Sequence, residues 1–263
     1  MANEIKIATL AFTAFWPIVV VGILLAGQRR PRARAFADRV LAQWKPALAI
    51  ALIALVSRAL TGRGILNPYV IAIFCQCLIG LAIARDIVGY EPLAVTQSVL
   101  RRDRPLRSIG LMVVIALLLG FAGIALGAIG IGIIRQILGE TYDAGQALGE
   151  FPLNVAQAFF FFLGGAGIAE ETTYRLVFLS LVWRITGRKR LAISLSAVLF
   201  AVHHLTPLDG MYRAFWQFPI SQLISTILIG LVWGYAYVKR GYETAVLAHT
   251  FSDWIPMLLF SQA

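Results

Sequence analysis

Charge is what this sequence has least of. Only 14% of its 263 residues are charged and 59% are hydrophobic, whereas a soluble domain carries about 25% charged residues. Cysteine is nearly absent. Cys75 and Cys77 lie in one apolar block with no histidine or further cysteine beside them. That spacing is neither a zinc pattern nor a disulfide framework, and both thiols read as packing residues. A secretory signal peptide is not expected, because the first apolar block is long, contains Pro17 and lacks a small-residue cleavage site. It reads as a retained first helix. Also missing are a His-Glu-x-x-His helix, a Gly-x-Ser-x-Gly elbow and a P-loop. No suitably framed serine and no second intramembrane aspartate beside Asp253 is available for the serine or aspartyl types of intramembrane protease.

The apolar residues come in blocks of the length that crosses a bilayer, roughly 17–25 residues. Clear blocks are 5–26, 65–84, 109–134 and 215–238; shorter or polar-marked ones are 46–60, 151–183, 191–205 and 244–260. The block 151–183 is too long for one simple span and contains Gly164, Gly165, Ala166 and Gly167, where a helix can break or pack closely. The expectation is an all-α polytopic membrane protein with about eight transmembrane helices. Gly123-x-x-x-Gly127 and Gly230-x-x-x-Gly234 read as close-packing motifs.

The net charge of +10 does not point to nucleic acid, because Lys and Arg cluster in short loops between apolar blocks. One alternating set of loops, at 29–45, 85–107, 184–190 and 239–240, holds 17 of the 23 basic residues. The opposite set holds Lys6, Arg63, Arg135 and Arg213. Positive loops stay inside, so the basic loops are expected on the cytoplasmic side and both termini outside. The polar segment 85–107 reads as an interfacial helix.

Ionisable groups inside a bilayer cost on the order of 2.5–3.5 kcal/mol each, so a cluster of them needs a reason. Here Glu170, Glu171 and Arg175 lie in one block, His203 and His204 in the next, and His249 and Asp253 in the last. These include all three histidines of the chain. Glu171 and Arg175 are four apart and can pair along a helix, leaving Glu170 as the unpaired carboxylate. His249 and Asp253 are also four apart, so the carboxylate is placed to orient the imidazole. Glu170 stands 14 residues before Arg184 and His204 14 residues after Arg190, each roughly 20 Å from the same loop at about 1.5 Å per residue. A carboxylate and two histidines at compatible depth suit activation of a water, by Glu directly or on a metal.

Three motifs resemble those of the CAAX-protease and bacteriocin-processing group of intramembrane proteases, which includes the type II CAAX prenyl endopeptidases. Glu170-Glu171-Thr172-Thr173-Tyr174-Arg175 is similar to EExxxR, Phe200-Ala201-Val202-His203-His204 to FxxxH, and His249-Thr250-Phe251-Ser252-Asp253 to HxxxN/D. The resemblance covers residue 151 to the C-terminus and implies roles. Glu170 activates the attacking water with help from His204, His249 and Asp253 stabilise the oxyanion, and Glu171 and Arg175 fix the helix geometry. A zinc ion, if used, falls to Glu170, His204 and His249. Where the prenyl endopeptidases usually have Asn, this chain has Asp253, which when ionised cannot donate a hydrogen bond.

The expectations are therefore an N-terminal helical region over 1–150 and a catalytic helical core over 151–263, its intramembrane active site formed by the last four spans. The expected function is an endopeptidase of a prokaryotic cytoplasmic membrane. Its partners are membrane lipid and a membrane-associated peptide or protein, CAAX-like or not, and no nucleic acid. The competing reading is a non-enzymatic immunity or scaffold protein, or a proton-coupled transporter, using the same cluster as a lock or relay.

Overall fold

A computed structural model describes residues 2–61, 68–140 and 153–260. All regular structure among them is helical. The helices are α1 (Ala2–Arg29), α2 (Pro31–Leu41), α3 (Trp44–Leu60), α4 (Pro68–Arg85), α5 (Ala94–Leu100) and α6 (Pro105–Leu138). They continue with α7 (155–186), α8 (Lys189–His203), α9 (Tyr212–Phe215), α10 (Pro219–Arg240) and α11 (Tyr242–Phe260). Arg63 and the expected boundary near residue 150 lie outside the described residues, as do the first residues of the blocks 65–84 and 151–183.

By length and composition three helices qualify as membrane spans: Asn3–Arg29, Pro105–Leu138 and Pro219–Arg240. Helices α2 and α3, bent by 47° at their junction, make a fourth if taken together. Exposed Ile7, Leu10, Phe15 and Ile18 on α1, and Leu111, Val114, Leu118 and Phe121 on α6, present apolar surface outward. Such surface is stable against lipid rather than water. Helix α2 lies inside what the sequence presents only as a basic loop; Pro31 at its first turn supplies the fixed φ that starts it. The segment 85–107 contains a helix of seven residues, α5, flanked by turns.

The block 151–183 does not break at its glycines. Helix α7 runs without interruption but widens into π-helical turns over Leu163–Glu170 and Thr172–Leu179, a device common at functional sites. Gly167 lets α11 approach: a Cβ there would strike Thr250 Oγ1 and lie 3.1 Å from the Val246 carbonyl oxygen. Gly230 does the same between α10 and α8, where a Cβ would lie 3.1 Å from both Cα and Cβ of Ala197. The close-packing reading of Gly230-x-x-x-Gly234 is borne out.

The connecting segments gather at two ends of the bundle. At one end Arg184 Nε donates to Asp86 at 2.8 Å, and Tyr242 N donates to Pro92 O at 2.7 Å. Thr96 N donates to Glu243 at 2.9 Å there, and Arg85 to Gln43. At the other end Tyr212 and Arg213 both bind Glu4, at 2.9 and 3.0 Å. Glu140 there accepts from Ile220 N and Ser221 N at 3.0 and 3.1 Å, capping α10. The arginine-rich segments thus share one end, and 204–218 lies at the opposite one.

Candidate active site

The buried centre is Arg175, fully excluded from solvent on α7. Its guanidinium lies 4.5 Å from the Phe200 ring centroid and 5.6 Å from that of Trp233, and Nη2 donates to Gly230 O at 3.2 Å. Arginine suits this box because its planar, weakly hydrated cation stacks on aromatic faces. Nη1 meets Glu171 Oε1 at 3.1 Å, and both side chains are completely buried. The ion pair expected from the four-residue spacing is present.

Glu171 does more than pair with arginine. The same Oε1 accepts a hydrogen bond from His249 Nδ1 at 2.8 Å. The indole of Trp233 stacks on the His249 ring, and Phe200 meets that ring edge-on at 5.6 Å. Asp253 faces the His249 ring as its four-residue spacing suggests, on the side of Nε2, which is 3.6 Å from Asp253 Oδ2 and 3.7 Å from Glu170 Oε2. These distances exceed a direct hydrogen bond. With Nδ1 committed to Glu171, neutral His249 turns a lone pair toward two carboxylates. A proton must therefore be held among Nε2, Glu170 and Asp253, or a donor must lie between them.

His204, at the end of α8, donates from Nδ1 to Phe200 O at 2.9 Å, which directs Nε2 toward Asp209 Oδ2 at 3.7 Å. Asp209 was not legible as a site residue, since it sits in the segment after α8 and belongs to none of the three motifs. Its oxygen Oδ1 accepts from Met211 N at 2.7 Å, which fixes the carboxylate. Burial pushes the Asp209 carboxyl above its ordinary range, against the opposing pull of His204.

A cavity of about 140 Å³ is lined by Glu170 and Asp209 of these groups, together with Thr173, Tyr174 and His203, and not by His204, His249 or Asp253. Thr9, Phe12 and Tyr69, from α1 and α4, close its far wall. The N-terminal helices thus line the cavity beside Glu170, where the sequence pointed to the last four blocks alone. His203, the histidine beside the motif position, lies on this wall with its ring 5.5 Å from Tyr174.

A metal ion would need three or more of these donors to converge on one point. Among the described residues no set of three or more His, Cys, Asp and Glu side chains is arranged to hold an ion. The Nδ1 contacts of His204 to Phe200 O and of His249 to Glu171 leave each Nε2 as the potential ligand atom, but these atoms and the carboxylates do not converge on one point. Glu170, His204 and His249 as placed do not fit the expected zinc set.

Fold and site together define an all-helical integral membrane protein with an acid-and-histidine cluster enclosed between its helices. Residues 152–255 match the family model of the Type II CAAX prenyl endopeptidase Rce1-like proteins, and the resemblance carried by the three motifs holds over the helices that bear them. No curated protein and no solved structure is significantly similar to the chain.

Proposed function

We propose that this chain is an intramembrane endopeptidase that hydrolyses a peptide bond of a membrane-associated substrate. The observation that carries the reading is the position of Glu170: a carboxylate on a cavity wall, its side chain 23% exposed, 3.7 Å from an imidazole nitrogen that Glu171 orients from behind. The Rce1-like match over the same helices supports it.

In this reading a water at Glu170 loses a proton to the carboxylate while its oxygen attacks the scissile carbonyl carbon. The proton held on Glu170 then passes to the amine as the C–N bond breaks. His204, with Nδ1–H committed to Phe200 O, offers its Nε2 lone pair to the same water. A proton shared between His249 Nε2 and Asp253 is directed at the developing oxyanion, and buried Glu171 orients the ring through Nδ1. Asp253 contributes by holding a proton near Nε2 rather than by donating as an asparagine would. Arg175 pairs with Glu171 and holds the helices in register. The proposed membrane placement has eight helical spans with the arginine-rich segments cytoplasmic.

The test is Glu170→Gln in proteoliposomes carrying a panel of self-quenched, membrane-anchored peptides. The expected result is a loss of at least about 10²-fold in turnover, with thermal unfolding unchanged. Cleavage at the original rate sinks the reading.

A further inference from the structure

We propose that an apolar cleft between α3 and α6 holds an acyl chain of an anionic phospholipid, whose hydroxylated headgroup sits among the basic residues at the cleft mouth. The inference does not depend on the proteolytic reading.

The cleft has a volume of about 220 Å³ and shares no lining residue with the cavity beside Glu170. Ile50 and Ile53 of α3 and Met112 of α6 line its sides, and Leu163 and Ile168 of α7 with Val246 of α11 complete it. Ile168 and Val246 are buried, whereas Ile53 is exposed and marks the open edge. Such an apolar space takes hydrocarbon rather than water. In the proposed membrane placement its open edge faces lipid, so the bilayer supplies the occupant.

The mouth selects the headgroup. Helices α3, α6 and α11 begin at the basic end, at Trp44, Pro105 and Tyr242, and turn their positive dipole ends toward it. Lys45 stands in the first turn of α3, and Arg101, Arg102, Arg104 and Arg107 lie on the turn into α6, with Asp103 the one acid among them. All five cations are exposed. Exposed Trp44, Leu100 and Leu106 stand between them, a mixture that settles at the level of the headgroups. A net anionic phosphate is drawn to such a cluster, whereas a zwitterionic headgroup brings its own cation. Among the described residues Glu243 is the one charged group in the cleft lining. Its Oε1 accepts from Thr96 N at 2.9 Å, while Oε2 is buried without a hydrogen-bond partner. A hydroxyl both donates and accepts, and so satisfies Oε2 whether or not that oxygen carries a proton. A glycerol headgroup offers such a hydroxyl and a choline headgroup does not. An occupant of this cleft braces α3 and α6 against α7 and α11, the helices that carry Glu170 and His249.

The experiment is thermal unfolding of the delipidated full chain in detergent with added dioleoylphosphatidylglycerol, dioleoylphosphatidylethanolamine or dioleoylphosphatidylcholine. The expected result is an upward shift of at least about 4 °C with phosphatidylglycerol in large excess over its Kd, and no more than about half of it with the others. Arg104→Gln combined with Arg107→Gln should reduce the phosphatidylglycerol shift to the level of the other two lipids. Ala49→Trp, which fills the cleft from an exposed position on α3, should abolish it. For a variant too unstable to melt, native mass spectrometry gives the same answer: the parent retains a phosphatidylglycerol that the variant loses. No shift with any lipid, equal shifts with all three, or a full phosphatidylglycerol shift in Ala49→Trp overturns the proposal. Binding needs no turnover, so its failure is distinct from that of the protease reading, which is judged by Glu170→Gln.

Discussion

The indole of Trp233 lies against the imidazole of His249, with 3.6 Å between ring centroids and 23° between planes. Two helices, α10 and α11, are thereby joined at the ring that the proposed reaction needs held still. Stacking and the Glu171 hydrogen bond fix the ring in two independent directions. Trp233→Leu removes the first and leaves the second. The expected outcome is a fall of roughly tenfold in kcat with little change in KM, as for a positioning contact. Steady-state kinetics on the folded variant checks it.

Arg175 and Glu171 form a buried pair with no solvent to absorb an unpaired charge. Removing one partner of such a pair costs about 3–5 kcal/mol, whereas removing both together costs far less. Arg175→Met is expected to lower the unfolding temperature steeply. Glu171→Gln combined with Arg175→Met is expected to recover most of that loss while remaining inactive. Thermal unfolding in detergent measures both.

Gly230 and Gly127 sit in similar-looking small-residue motifs, and only one faces a backbone. A Cβ at Gly230 meets Ala197 Cα at 3.1 Å, while one at Gly127 meets only the flexible end of Ile229 at 3.6 Å. Gly230→Ala should destabilise by about 1–3 kcal/mol, the usual cost of overpacking. Gly127→Ala should be neutral or slightly stabilising, since Ala is the better helix former. The difference in unfolding midpoint between the two variants is the measurement.

Asp209 lies beyond the helices, with its carboxyl raised by burial. A limb of the activity profile that belongs to Asp209 therefore falls above the usual carboxylate range. Asp209→Asn cannot titrate and is expected to abolish that limb while leaving a folded protein. A profile of kcat/KM against pH that keeps its shape in the variant removes Asp209 from the site.

Glu140 caps the first turn of α10. Burial works against its ionisation, yet hydrogen bonds from Ser221 and from the Ile220 and Ser221 N–H groups prevail and hold the carboxyl below its ordinary range. A carboxyl depressed on folding stabilises above its unfolded pKa of about 4.3, and that contribution disappears as pH falls through the folded value. Glu140→Gln should therefore unfold at lower temperature than the parent at pH 7. The gap should narrow as the pH falls below the unfolded value and close once it passes the lower, folded one.

The helical class was open to view in the sequence because block length and low charge are properties of local composition. The Glu171–Arg175 pair was equally accessible, since a spacing of four fixes a shared helix face. The partner of His249 was not. Asp253 has the right spacing on its own helix, but Glu171 on α7 takes Nδ1 because the wide turns of α7 and the absence of a side chain at Gly167 bring that helix against α11. Asp209 escaped for a related reason. It lies in a segment without periodicity, and its approach to His204 is set by how 204–211 folds back over the end of α8. The walls supplied by Thr9 and Tyr69 are likewise long-range consequences of packing, which no motif encodes.

Helix α8 carries a consequence for the lipid around it. Its 15 residues rise roughly 22 Å at 1.5 Å per residue, short of a hydrocarbon core of about 30 Å. If α8 is one of the spans proposed above, the membrane must thin beside it, or polar residues after His203 must sit below the level of the neighbouring head groups. In that placement either adjustment brings the aqueous boundary closer to Glu170 than bilayer thickness alone would allow. Under the proposed function and placement, hydrophobic mismatch helps to hydrate the site, and thicker lipids are expected to slow turnover with every side chain of the site intact.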